Sequence, residues 1–182
     1  MASQDPPVRW CVLGQASGGR VEAIDLSEDA ASVTLTKDEF PRWIAEREAA
    51  GAPRWVWSDT AAWLPSLLAA GVRVERCHDL RLSHAILARS SMVRDRALLL
   101  EASEWDASAV TAAEAPTAPT LFEVEEHPAT ARSVPHGADA ALAEFARQRA
   151  AIATAESPAR LQLLLAAESA GALIASEMEA AG

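Results

Sequence analysis

The chain has 182 residues, 50% of them hydrophobic and 23% charged, with a mean hydropathy near zero. That composition fits one soluble domain of ordinary size plus some additional chain, and it excludes collagen-like, disulfide-scaffold and membrane-protein classes. The net charge of −10 is unevenly placed: residues 1–100 carry 13 acids against 12 bases, and residues 101–182 carry 13 against four. No basic stripe of the kind that grips nucleic acid is present, and the seven acids without a base between Glu101 and Pro128 repel phosphate. Alanine at 42 positions, 15 arginines against one lysine and the lack of tyrosine are a skew of the gene that says nothing of function. No apolar run approaches the roughly 20 residues needed to span a bilayer. The start of the chain, with Asp5, Pro6 and Pro7, lacks the basic and apolar blocks of a secretory signal, so a cytoplasmic location without membrane contact is expected. Cys11 and Cys77 lie in apolar or β-branched surroundings and read as buried thiols.

In chain order, Val8–Leu13 and Val21–Leu26 alternate apolar and polar residues across Gly18-Gly19, which predicts a hairpin. Thr36 and Glu39 form a capping box for a helix over Lys37–Ala50, closed by Gly51-Ala52-Pro53. Arg54-Trp55-Val56-Trp57 reads as a buried strand that delivers Ser58-Asp59-Thr60 at its C-terminal end. A helix over Ala61–Ala70 follows, with Gly71 just past its end, then an alternating strand over Val72–Cys77 and a helix from Leu80 to about Arg89 capped by Asp79. Strand, helix, strand, helix at these lengths is the pattern of a parallel α/β unit. Met92–Glu101 is expected to hold a further short helix.

The stretch from about Ser103 to His136 changes character, with Ala, Pro, Thr and Glu dominant, and offers too little apolar surface to offset the entropy of ordering it. Helix is expected again over Ala138–Thr154, and over Pro158–Ala181 with Ser157 as cap and Pro158 at the first position. The expected organisation is an α/β domain over 1–102, an acidic linker over 103–136 and a helical segment over 137–182.

Three phrases, Arg54-Trp55-Val56-Trp57, Leu68 through Asp79 (LAAGVRVERCHD) and Leu164 through Gly171 (LLAAESAG), resemble the N-terminal region of the actinobacterial bifunctional 3′-5′ exonuclease/DNA polymerase family, relatives of bacterial DNA polymerase I. The resemblance covers nearly the whole chain. It implies an exonuclease-like, ribonuclease H-like mixed sheet with flanking helices over 1–102. It also implies that Glu168–Gly182 is the helix leading into a family A polymerase domain, which this chain does not contain. The implied function is the N-terminal portion of a DNA polymerase-like protein of replication or repair, with that polymerase domain, and DNA through it, as partners.

The parent family uses Mg²⁺; for this chain no cofactor or metal is expected. Polymerisation needs metal-binding palm aspartates and a basic helix, and the only lysine here is Lys37. The exonuclease class uses four carboxylates: an Asp-x-Glu pair on the first strand, an Asp after a later strand and an Asp on a late helix. Val8–Leu13 contains no acid, and Tyr-x-x-x-Asp cannot occur without tyrosine. Asp59 and Asp79 are the remaining candidates, and both also read as helix caps. The expectation is therefore a degenerate, structural domain. An active metal-dependent exonuclease using Asp59 and Asp79 stands as one alternative, and a stand-alone protein-interaction module as another.

His78 and His84 lie at no usual ligand spacing and read as core or partly exposed histidines, while His127 and His136 are expected to be solvated. Trp10, Trp43, Trp55, Trp57 and Trp63 read as core rather than as a stacking platform for bases, since no cationic groove accompanies them. Leu121 and Phe122 in the acidic stretch resemble the end of a sliding-clamp docking peptide, which makes the clamp a further partner to test.

Overall fold

The computed structural model describes residues 9–27, 31–106 and 134–182. Five strands, β1 (Trp10–Ala16), β2 (Arg20–Asp25), β3 (Ser32–Leu35), β4 (Arg54–Trp57) and β5 (Cys77–Asp79), form one sheet in the order β3-β2-β1-β4-β5. The pairings of β1 with β2 and of β2 with β3 are antiparallel, and those of β1 with β4 and of β4 with β5 are parallel. Six helices accompany the sheet: α1 (Glu39–Ala49), α2 (Thr60–Ala69), α3 (Leu80–Arg89), α4 (Ala97–Glu101), α5 (Ala138–Ala153) and α6 (Pro158–Ala181). The chain is an α/β fold on a mixed sheet.

The pleat of the strands sorts the core onto two faces. Cys11, Leu13, Trp55, Trp57 and Cys77 face α1 and α2, where Phe40, Ile44, Trp63, Leu64 and Leu67 meet them. Val12 and Val56 face the other way, against Phe145 and Ala141 of α5 and Leu80 of α3. Trp55 and Trp57 are wholly buried, and rings of this size remove roughly 150–250 Å² each from water, so the tryptophan-rich strand is the centre of the fold. The β1–β2 turn is closed by Gly18 and Gly19 at φ +71° and +70°, where a Cβ would be strained. Thr36 and Glu39 form the expected box: the Thr36 N–H donates to Glu39 Oε2 at 2.9 Å and the Glu39 N–H donates to Thr36 Oγ1 at 3.3 Å.

Several elements differ from expectation for identifiable reasons. Strand β3, not expected from the sequence, is a four-residue sheet edge with only Leu35 buried. The strand expected over Val72–Cys77 begins only at Cys77, since β4 starts at Arg54 and its register pairs Trp55 with Cys77, so residues 72–75 run past the start of β4. Val74 is nevertheless buried, which accounts for the alternation. The helix expected from Met92 is confined to α4, Ala97–Glu101. Ser157 makes no side-chain cap to α6; its carbonyl accepts from the Leu161 N–H at 3.1 Å instead.

Both ends of the segment expected to be linker are built into the core. Ser103–Trp105 forms a 3-10 turn whose Trp105 is buried, and Val134 is buried beside it. The last two helices cover the sheet rather than standing off from it: α5 packs on β1 and α3, and α6 on α2, α3 and β5. By length and composition α6 could cross a membrane. In the fold, however, its Leu161, Leu165, Ser169 and Leu173 are buried against neighbouring elements.

Candidate functional site

Asp59 and Asp79 stand at the C-terminal ends of the parallel strands β4 and β5, the end at which open α/β sheets place their ligands. Each carboxylate is engaged twice. Asp59 Oδ1 accepts from the Ala61 N–H at 3.1 Å, capping α2, and Asp59 Oδ2 lies 3.0 Å from Arg81 Nε on α3. That N–H is not aimed along a hydrogen-bond axis, and the ion pair is joined instead by Arg81 Nη2, which donates to Asp59 Oδ1 at 3.5 Å. Asp79 Oδ1 accepts from the Leu82 N–H at 2.9 Å, capping α3, and Asp79 Oδ2 accepts from the Thr60 N–H of α2 at 2.7 Å. The two aspartates therefore cross-cap, each closing its own helix and holding the first turn of the other.

Burial pushes the Asp79 carboxyl above the ordinary carboxylate range, with the Asp59 charge acting in the same direction. The Asp79 N–H in turn donates to Ser169 Oγ at 3.2 Å, which ties α6 to the same corner.

A divalent cation needs several oxygen ligands in one shell. Among the described residues there is no group of three or more His, Cys, Asp or Glu suited to a metal ion. Strand β1, Trp10–Ala16, carries no acid along its whole length. Its free flank is also roofed by protein. A Cβ at Gly14 would collide with the Ala138 backbone at the start of α5, and the Gln15 N–H donates to the His136 carbonyl at 2.6 Å. The pair of divalent ions used by the exonuclease class that the sequence resembles does not fit these residues.

His136, expected to be solvated, is half-buried instead, because it fastens this roof: its Nδ1 lies 2.6 Å from Ser58 Oγ. Trp63 Nε1 donates to the same oxygen at 3.0 Å, so the Ser58 hydroxyl joins α2 to the His136 ring. A serine beside a histidine is the layout of an activated nucleophile. Here the hydroxyl belongs to a residue only 1% exposed, so the pair ties residues 136–137 to the end of β4 rather than presenting an oxygen to a substrate.

A second polar cluster, which the sequence did not reveal, joins β5, α3 and α5. His84 Nδ1 lies 2.8 Å from Glu144 Oε1, and Arg147 Nη1 donates to Glu144 Oε2 at 2.7 Å. Gln148 Nε2 donates to Glu144 Oε1 and to the Leu80 carbonyl, and His78 Nε2 lies 2.8 Å from Gln148 Oε1. His78 and His84 are both buried, as core residues. The signal was the pair Glu144 and Gln148, one helical turn apart on an otherwise apolar face of α5; it had no visible partner because the histidines lie 60 and 70 residues earlier in the chain.

Trp55, Trp57 and Trp63 are core residues, as expected, while Trp10 and Trp43 are half-buried. Cys11 and Cys77 are free buried thiols, each pushed up to about 12 by desolvation. Leu121, Phe122 and His127 lie outside the described residues. Compared with known proteins, the chain matches no family model, no curated protein and no solved structure.

Proposed function

We propose that this chain is a nuclease-derived scaffold: the N-terminal, exonuclease-like part of a family A DNA polymerase-like protein acting in replication or repair, structural in role and without catalysis of its own. The observation that carries this reading is β1. A mixed sheet in which only β2 runs against the other strands is compatible with a ribonuclease H-like domain, in which the first strand would supply the leading pair of metal-binding acids. Here that strand is acid-free, and Gly14 lies directly beneath the start of α5.

The two aspartates left near the strand ends are engaged in tying α2 to α3: three of their four carboxyl oxygens accept from backbone N–H groups and the fourth faces the Arg81 guanidinium. Leu163, Leu164, Ile174 and Met178 of α6 are exposed and apolar, which suits a face that a following polymerase domain would cover. DNA would be held through that domain, with the sliding clamp a further partner through Leu121 and Phe122.

The test is digestion of end-labelled single-stranded DNA by the purified chain in Mg²⁺ or Mn²⁺. No shortening is expected, and the Asp59→Asn chain should behave as wild type. Time-dependent shortening that Asp59→Asn removes would overturn the reading and restore a working exonuclease.

A further inference from the structure

A cavity of about 340 Å³ opens away from the aspartates, between α5, α6 and the start of the parallel strands. That volume falls within the range of small-molecule pockets. Trp10 and Phe145 form its aromatic wall, with ring centroids 5.0 Å apart, and His78 meets both rings edge-on. A guanidinium stands over each ring: the Cζ of Arg54 lies 5.5 Å from the Trp10 centroid and that of Arg149 5.8 Å from the Phe145 centroid.

In a molecule of net charge −10, no Asp or Glu lines this cavity. Among the described residues neither Arg54 nor Arg149 has a carboxylate within ion-pair distance. Arg54 is only partly exposed, and burial depresses its guanidinium from the usual value, with the Arg76 charge adding to the effect. A half-buried cation of this kind is stabilised by an anion.

The polar group at the back of the cavity is also defined. Gln148 Nε2 is committed as donor to Leu80 and Glu144, so Gln148 Oε1 must accept from His78 Nε2–H. His78 is thereby fixed as the tautomer whose Nδ1 carries a lone pair, and burial, which lowers its pKa to about 4, keeps the ring neutral near pH 7. Trp10, Arg54, Phe145 and Arg149 therefore offer apolar aromatic surface and positive charge, while His78 offers an acceptor.

We infer that this cavity is a binding site for a planar aromatic anion, its ring stacked on the Trp10–Phe145 wall and its carboxylate or phosphate held between Arg54 and Arg149. Neither Asp59 nor Asp79 lines the site.

Calorimetric titration of the full chain with naphthoate, naphthyl phosphate and the uncharged naphthalenemethanol tests it. Both anions should bind at one site, and the alcohol about tenfold more weakly or worse, the difference expected of charge-assisted contacts. The tighter of the two anions identifies the head group. Arg149→Gln, an exposed position whose change leaves the fold intact, should weaken the anions about tenfold and leave the alcohol unaffected, while Arg42→Gln on α1 should change nothing. Arg54→Gln should act like Arg149→Gln; if it fails to fold, Arg149→Gln decides alone. No binding of either anion, equal affinity for the alcohol, or unchanged anion affinity in Arg149→Gln would each overturn the inference.

Discussion

Asp79 shows how much one side chain can hold. It is wholly buried, and its two oxygens satisfy N–H groups from two helices. Asp79→Ala strands both donors away from water, and a loss of about 2–4 kcal/mol is expected in urea unfolding. His78 makes a prediction of the opposite kind, about pH. Its folded-state pKa is lowered from 6.5 to about 4 by burial, so the unfolded chain takes up the proton first as pH falls. The stabilisation from neutral His78 is complete above pH 6.5 and is lost as pH drops towards 4, by about 3 kcal/mol at most. Asp79, pushed upward, acts in the other sense, contributing less as pH rises. The comparison that isolates His78 is therefore the slope of urea stability between these pH values in wild type and His78→Gln; the variant should be flatter. At this scale the caps were legible, because an aspartate ahead of an apolar helical run has few other uses. Their partners across the fold, Thr60 and Arg81, were not, since nothing in a linear pattern says which two helix starts will meet.

Among the elements, β4 was read correctly because a strand buried on both faces is apolar throughout, whereas β3 and β5 were missed or shifted because edge strands are defined by their neighbours. The helices α5 and α6 were recognised as helices but assigned to a segment of their own. What lets the start of α5 close on β1 is an absent Cβ, at Gly14, and a glycine inside an apolar strand carries little warning of a helix passing over it. Gly14→Ala should therefore cost more than an ordinary strand substitution, about 3 kcal/mol or more, because the backbone of α5 must shift and cannot rotate away. Thermal unfolding followed by circular dichroism measures this, and Gly171→Ala inside α6, where a Cβ meets open space, is the comparison of opposite sign, stabilising by up to about 1 kcal/mol. The roof over β1 is thus an outcome of local sequence at Gly14, His136 and Ser58, and it occupies the flank of the strand where a nuclease would need room.

For the molecule as a whole, the order strand, helix, strand, helix pointed to an α/β chain, and the mixed sheet agrees. The cavity lined by Trp10, Arg54 and Phe145 was not foreseeable, because its walls come from β1, β4, β5, α5 and α6 and its charge is legible only against the acidity of the rest. The proposed exonuclease-like scaffold turns on the other end of the sheet, where Asp59 and Asp79 serve structure and the described residues offer no shell for a pair of divalent ions. Titration of the chain with Mn²⁺, read by the free-ion electron paramagnetic resonance signal, tests that claim most directly. The account predicts the same curve for wild type and Asp59→Asn, whereas saturable binding of two Mn²⁺ ions per chain that disappears in Asp59→Asn would contradict it.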